Sequence, residues 1–119
     1  MNKLRYILLF TFLLSVFSMN AGETKNIVEY NKDIVTILKD AEVYPNPAED
    51  FVYLKLDEQK INKSIEIQVM SIIGTKMNSS AEKIDDGLYK INLKNIPSGH
   101  YYVMITIDSK KSLKKFLKK

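Results

Sequence analysis

The chain has no cysteine and no tryptophan, one histidine, three prolines and four glycines in 119 residues. Without cysteine, no disulfide can staple the fold and no lipid can be attached at a thiol, so an exported form must hold together by its core alone. A lone histidine, His100, cannot build a metal centre, which needs three or four converging ligands. It reads as a partly exposed residue at a strand entry. Ser71, Ser98 and Ser112 lack a base that would activate them as nucleophiles. The carboxylate pairs Glu49–Asp50, Asp57–Glu58 and Asp85–Asp86 lie in or near turns, and each alone falls short of the six or more oxygens that calcium requires. No catalytic, metal or cofactor site is therefore expected, and the chain does not read as an enzyme. Long apolar runs are also missing. The longest, Tyr6 to Phe17, has 12 residues, against ~20 for a membrane span, so no transmembrane helix is expected in the mature chain.

What that run does describe is an export signal. Lys3 and Arg5 precede it, and Ser18-Met19-Asn20-Ala21-Gly22 supplies small residues after it, the order of a secretory signal peptide. Val16/Ser18 and Met19/Ala21 both suit a cleavage site, which places the cut within 18–22 and the signal over residues 1–21. Lys3 and Arg5 leave with it, so 16 lysines then face 14 acids. Six of those lysines fall within Lys110–Lys119, and the rest of the mature chain is net acidic. The basic balance belongs to the tail. A nucleic-acid partner, which would call for a basic face across the domain, is not expected.

After the signal, residues 22–40 read as a short polar leader, and β-branched Asp33-Ile34-Val35-Thr36-Ile37-Leu38 suits one short strand. At Val43-Tyr44-Pro45-Asn46-Pro47-Ala48-Glu49-Asp50, two prolines fix φ and restrict the residues before them, making a stiff elbow that marks the start of a domain. From there the period is two. Val52, Leu54 and Leu56 alternate with Phe51, Tyr53 and Lys55, and Ile65, Ile67 and Val69 with Glu66, Gln68 and Met70. Gly74 predicts a hairpin turn, Asn78 to Lys83 a polar loop or edge segment, and Asp86-Gly87 and Pro97-Ser98-Gly99 two further turns. These turns lead into Leu88–Leu93 and Tyr101–Ile107, and Asp108–Lys111 turns the chain into its last segment. Short strands punctuated by regular turns predict an all-β fold, a small antiparallel immunoglobulin-like sandwich of about seven strands over 41–119. The tail admits two readings. Leu113, Phe116 and Leu117 share a helix stripe, whereas Leu113, Lys115 and Leu117 share one face of a strand.

The segments VYPNPAEDFVYLKL, IEIQVMSIIGTKM, YKINLKNIPSGHYYVMI and the final KKFLKK resemble, in order and spacing, the type A C-terminal sorting domain of the type IX secretion system, which occurs on proteins exported by Bacteroidetes. The resemblance covers residues 41–119. Tyr44, Pro45, Asn46 and Pro47 match the family's opening motif, and Gly74 its hairpin glycine. Ile91, Leu93, Ile96, Gly99, Tyr101 and Val103 match its long central stretch, and Lys115, Phe116, Leu117 and Lys118 its terminal basic-apolar strand. Ser71, Thr75 and Asn92 depart from the residues usual at their positions.

The resemblance implies an immunoglobulin-type sandwich with a stranded tail. It implies recognition by the type IX translocon after export through the periplasm, and secretion or attachment at the cell surface. It further implies removal by a sortase-like protease and transfer of cargo to lipopolysaccharide. The expected function is thus a sorting domain with almost no cargo, because only the short leader separates the signal from the elbow. Two alternatives stand beside it. One is a secreted sandwich whose exposed aromatics, Phe51, Tyr53 and Tyr102, and basic tail hold a surface polysaccharide or a protein partner, and the other is a remnant that has lost its cargo.

Overall fold

A computed structural model describes residues 21–119. The export signal expected over residues 1–21 lies outside the described residues, apart from Ala21. The described residues divide into two units, with the boundary between Lys32 and Asp33. Among the described residues, no helix is long and apolar enough to cross a membrane.

A helix, α1 (Ala21–Asp40), runs through the segment expected to be a leader with one strand. The expected strand is corrected to a helix. In the second unit Ile34, Ile37, Leu38 and Ala41 are buried, while Val35 and Thr36 are exposed. The spacing i, i+3, i+4, i+7 is that of a helix with one apolar face. The β-branched composition suggested a strand, but it is the period that decides which residues can be buried together.

The β-elements follow as expected. They are β1 (Glu42–Tyr44), β2 (Phe51–Lys55), β3 (Ile65–Ser71), β4 (Ser80–Asp85), β5 (Leu88–Asn92), β6 (Gly99–Ile107) and β7 (Lys110–Lys118), with one 3-10 turn at Glu58–Lys60. They form two antiparallel sheets, β1-β2-β5-β4 and β3-β6-β7. Among the described residues, the strands make an all-β sandwich of seven strands, preceded in sequence by the helix. Val52 and Leu54 pair with Ile91 and Tyr89 across the first sheet. Val69 pairs with Val103, and Ile67 and Ile65 with Ile105 and Ile107, across the second. Residues paired in register share a face, so these rows meet between the sheets. There Val52, Leu54, Val69, Leu93, Val103, Ile105 and Ile107 have no exposed surface.

The turns fall where the sequence places them. Ser71, Gly74 and Thr75 close the loop after β3 through Ser71 N–H to Thr75 O and Gly74 N–H to Ser71 O bonds. Asp108 and Ser109 link β6 to β7 with φ of 47° and 70°, the left-handed pair that a two-residue hairpin needs. Gly87 between β4 and β5 is buried at φ 68°, and a Cβ there would strike the carbonyl oxygen of Leu56. The segment read as a loop or edge is the edge strand β4, exposed throughout. Its mixed charges discourage pairing with other chains.

The tail is stranded. β7 pairs with β6 over nine residues, from Lys110↔Ile107 to Lys118↔Gly99. Lys110, Ser112, Lys114, Phe116 and Lys118 share the face of β6's buried residues, and Lys111, Leu113, Lys115 and Leu117 face outward. Only Phe116 of the inward row is fully apolar, and it is 1% exposed. Where β7 offers polar inward groups, it serves the helix instead. Lys114 Nζ donates to the carbonyl of Lys39 at 2.7 Å, and Ser112 Oγ to that of Leu38 at a long 3.5 Å. The last carbonyls of a helix lack partners within it and carry its negative end. A cationic strand residue is well suited to cap them.

Candidate functional site

The elbow and the tail, at opposite ends of the domain's sequence, meet through backbone groups. Ala48 N–H donates to Leu117 O at 2.8 Å, and Lys119 N–H donates to Ala48 O at 2.8 Å. Ala48 thus forms an isolated parallel bridge with Lys118. Leu117 N–H donates to Asn46 Oδ1 at 2.9 Å. Both prolines, which follow cis peptide bonds, flank that asparagine. Neither ring carries an N–H, so the side chain of Asn46 and the backbone of Ala48 make this clamp. Ala48 has no exposed surface, which explains a small residue directly after Pro47.

Other candidates gather around the clamp. Tyr101 is buried against Phe116, with ring centroids 6.0 Å apart, and its hydroxyl donates to Pro97 O at 2.6 Å. A buried tyrosine needs such a partner for its O–H. Gly99 lies opposite Lys118 at φ 155°. Tyr44 stacks on Tyr53 at 5.7 Å and is 41% exposed. Pro45, Asn46, Pro47 and Lys115 are exposed, and Leu117 and Lys118 half-buried. Gly74 follows Ser71, which pairs with Tyr101, so it shares this end of the sheet but not the hydrogen-bonded cluster.

The candidates thus divide by what they do. Phe116, Tyr101 and Gly99 shape the core and its turn, and Asn46 ties the ends. Lys115 and Leu117 present side chains outward from β7, and Tyr44, Pro45 and Pro47 are exposed at the elbow. His100 is exposed on β6, opposite Leu117. Among the described residues, no group of three or more His, Asp or Glu is placed to hold a metal.

One polar cluster has no counterpart in the sequence reading. Glu58, with 13% of its side chain exposed, accepts from Gly87 N–H at 2.8 Å and Tyr89 Oη at 2.7 Å, and pairs with Lys83 Nζ at 2.6 Å. These partners are remote in sequence and converge only once β4 and β5 have paired, so no local pattern announces them. Burial pushes the Glu58 carboxyl up, but the hydrogen bonds from Lys83, Tyr89 and Gly87 together outweigh it and hold the group below its ordinary value near 4.5. Burial first, and then the Glu58 carboxylate, push the Tyr89 hydroxyl up.

A carboxyl depressed in the folded chain adds stability that is complete above its unfolded value and is lost as pH falls through the lower folded value. Glu58→Gln is accordingly expected to lower the melting temperature at pH 7 and to flatten the acid limb below pH ~4.5. Melting curves between pH ~2.5 and ~7 check this. Parallel profiles for the two proteins would show that Glu58 does not set the acid limb.

With this geometry established, comparison with protein-family models gives a match to the secretion system C-terminal sorting domain over residues 42–119. The chain belongs to that family. The match begins at the first residue of β1 and runs through β7, so the sorting domain coincides with the sandwich, and α1 lies outside it. Comparison with curated proteins finds no match. As a type IX sorting domain, the sandwich has a role in secretion and interacts with the secretion machinery. That role implies export, with secretion or surface attachment as the end point.

Proposed function

We propose that residues 42–119 are a folded address read at the outer membrane after transit through the periplasm. In this reading the outward row of β7 and the elbow clamped to its end form the surface that is read. The observation that carries it is the coincidence of the family match with the sandwich from β1 to β7. Outward Lys111, Leu113 and Lys115 are exposed, Leu117 is half-buried, and none of the four is used in the core. The outward side chains of this strand, rich in lysine, add little to folding and are easy to recognise, because charge on exposed groups steers encounter more than it adds stability.

In the same reading the domain performs no chemistry of its own. A sortase-like protease removes it, and lipopolysaccharide is the acceptor for what it carries, in a Bacteroidetes cell envelope. From Asp33 onward α1 folds within the same unit as the sandwich, so we assign residues 33–41 to the address and not to a cargo.

The double substitution Lys111→Glu/Lys115→Glu tests the reading. Both side chains are exposed and outward, so stability is expected to change by no more than ~0.5 kcal/mol per site. Extracellular protein is expected to fall at least tenfold, with accumulation in the periplasm, as in a cell lacking the type IX translocon. Normal extracellular levels of the folded double variant would overturn the proposal. Intact mass of the exported product locates any cut.

A further inference from the structure

The outer face of the first sheet has a different chemistry from β7. Tyr44 is opposite Tyr53, Tyr53 opposite Lys90, and Phe51 opposite Asn92, so these residues share the solvent side of β1, β2 and β5. Ser80 and Glu82 of β4 extend the row, opposite Asn92 and Lys90. Two open hollows adjoin on this face and share Phe51. One, of about 370 Å³, is lined by Pro45, Pro47, Glu49, Asp50, Phe51 and Tyr53. The other, of about 140 Å³, is lined by Phe51, Ser80, Glu82, Lys90 and Asn92. Together they form a trough from the elbow to the edge strand.

The rings of Tyr44, Tyr53 and Phe51 lie together on β1 and β2, and Lys90, Glu82, Asn92 and Ser80 lie beside them on β5 and β4. Lys90 Nζ lies 4.0 Å from the centre of the Phe51 ring and Lys94 Nζ 5.4 Å. Among the described residues, neither lysine forms an ion pair, nor do Glu49, Asp50 and Glu82. Lys90 and Glu82 are direct cross-strand partners, yet the ammonium rests on the ring. Such a contact is worth only ~0.5–1 kcal/mol at an exposed site, so the lysine can swing away to a ligand.

We infer that this face binds an oligosaccharide laid across the sheet. A pyranose has an apolar C–H face, slightly positive, that suits the negative face of an aromatic ring. Its hydroxyls both donate and accept, and they need carboxylate acceptors beside ammonium and amide donors. The trough supplies both sets side by side. Three carboxylates against two lysines disfavour a nucleic acid, and the charges that border the rings disfavour a lipid tail. The hollows are open and shallow, so they suit several sugars of a chain in succession more than one enclosed small molecule. Tyr102, grouped with Phe51 and Tyr53 in the sequence, lies opposite Met70 and Lys115 on the outer side of the other sheet and takes no part. The trough shares the elbow residues Pro45 and Pro47 with the surface proposed for sorting but takes nothing from the outward row of β7, and sugar binding is read apart from export.

Affinity electrophoresis of the purified, uncut chain through gels containing a soluble glucan, mannan or xylan provides the test, with a proline-rich peptide as competitor. Retardation by at least one polysaccharide is expected. Tyr53→Ala should weaken it at least tenfold, and Tyr102→Ala should leave it unchanged. Tyr44→Ser, at a more exposed ring, is the second variant should Tyr53→Ala fail to fold, and the same loss is expected from it. No retardation in any gel, retardation that survives loss of both tyrosines, or displacement by the peptide at equal concentration would each overturn the proposal. Each could occur with export intact, so failure here is separate from failure of the sorting reading.

Discussion

Removal of Lys110–Lys119 is expected to unfold the sandwich, and not to leave a folded domain without its address. β7 is paired along its whole length in a sheet of only three strands. Its loss would uncover β6, where Tyr101, Val103, Ile105 and Ile107 are buried. Phe116 alone, at 1% exposure against Tyr101, is worth ~3–5 kcal/mol when truncated to alanine. A domain of this size has ~5–15 kcal/mol in all. The truncated chain also loses the clamp on Ala48 and the caps on the last turn of α1. Far-ultraviolet circular dichroism and limited proteolysis of the purified chain check this directly. A cooperative melt within a few degrees of the intact chain would refute it. A periplasmic block caused by this truncation therefore cannot distinguish lost recognition from lost folding, which is why charge reversal on the outward row is the sharper probe of sorting.

Substitution Ile34→Ala is expected to cost ~2–5 kcal/mol, the range for removing a fully buried Ile or Leu side chain, although Ile34 lies outside the family match. It has no exposed surface, and Ile37, Leu38 and Ala41 are buried with it. At roughly 4–8 °C per kcal/mol for a domain of about 60–100 residues, the melting temperature should fall by at least ~8 °C. Val35→Ala, at a position 52% exposed one residue away, should move it by no more than ~4 °C, as surface changes usually stay within ~0.5 kcal/mol. Thermal melts of the two variants decide the matter. Equal and small shifts would mean that the helix contributes nothing to the sandwich.

The strands were legible because their burial repeats with period two over stretches such as Phe51–Leu56 and Tyr101–Ile107. Three of the turns were legible because Gly74, Gly87 and the Asp108–Ser109 pair stand where the backbone needs positive φ. Residues 33–38 were misread because composition and period disagreed there. Ile34, Val35, Thr36 and Ile37 are all β-branched, but Ile34, Ile37 and Leu38 can be buried together only on a helix. The tail left two choices open in its side chains, and the pairing with β6 closed them in favour of the strand, with Phe116 inward and Leu113 outward. The clamp was not legible at all. It joins Asn46 and Ala48 to Leu117 and Lys119 largely through main-chain groups, which carry no trace in residue identity. The Glu58 cluster escaped for a related reason, since it depends on the register of a hairpin far downstream.

The clamp also imposes an order in time. During synthesis the elbow emerges well before Leu117, and until then the Asn46 amide oxygen and the Ala48 backbone must be satisfied by water. A nascent or broken chain can therefore display the opening motif in full and still lack the joined surface. The contact works as a check on completeness: a product that stops short of β7 has the first half of its label and no means of closing it.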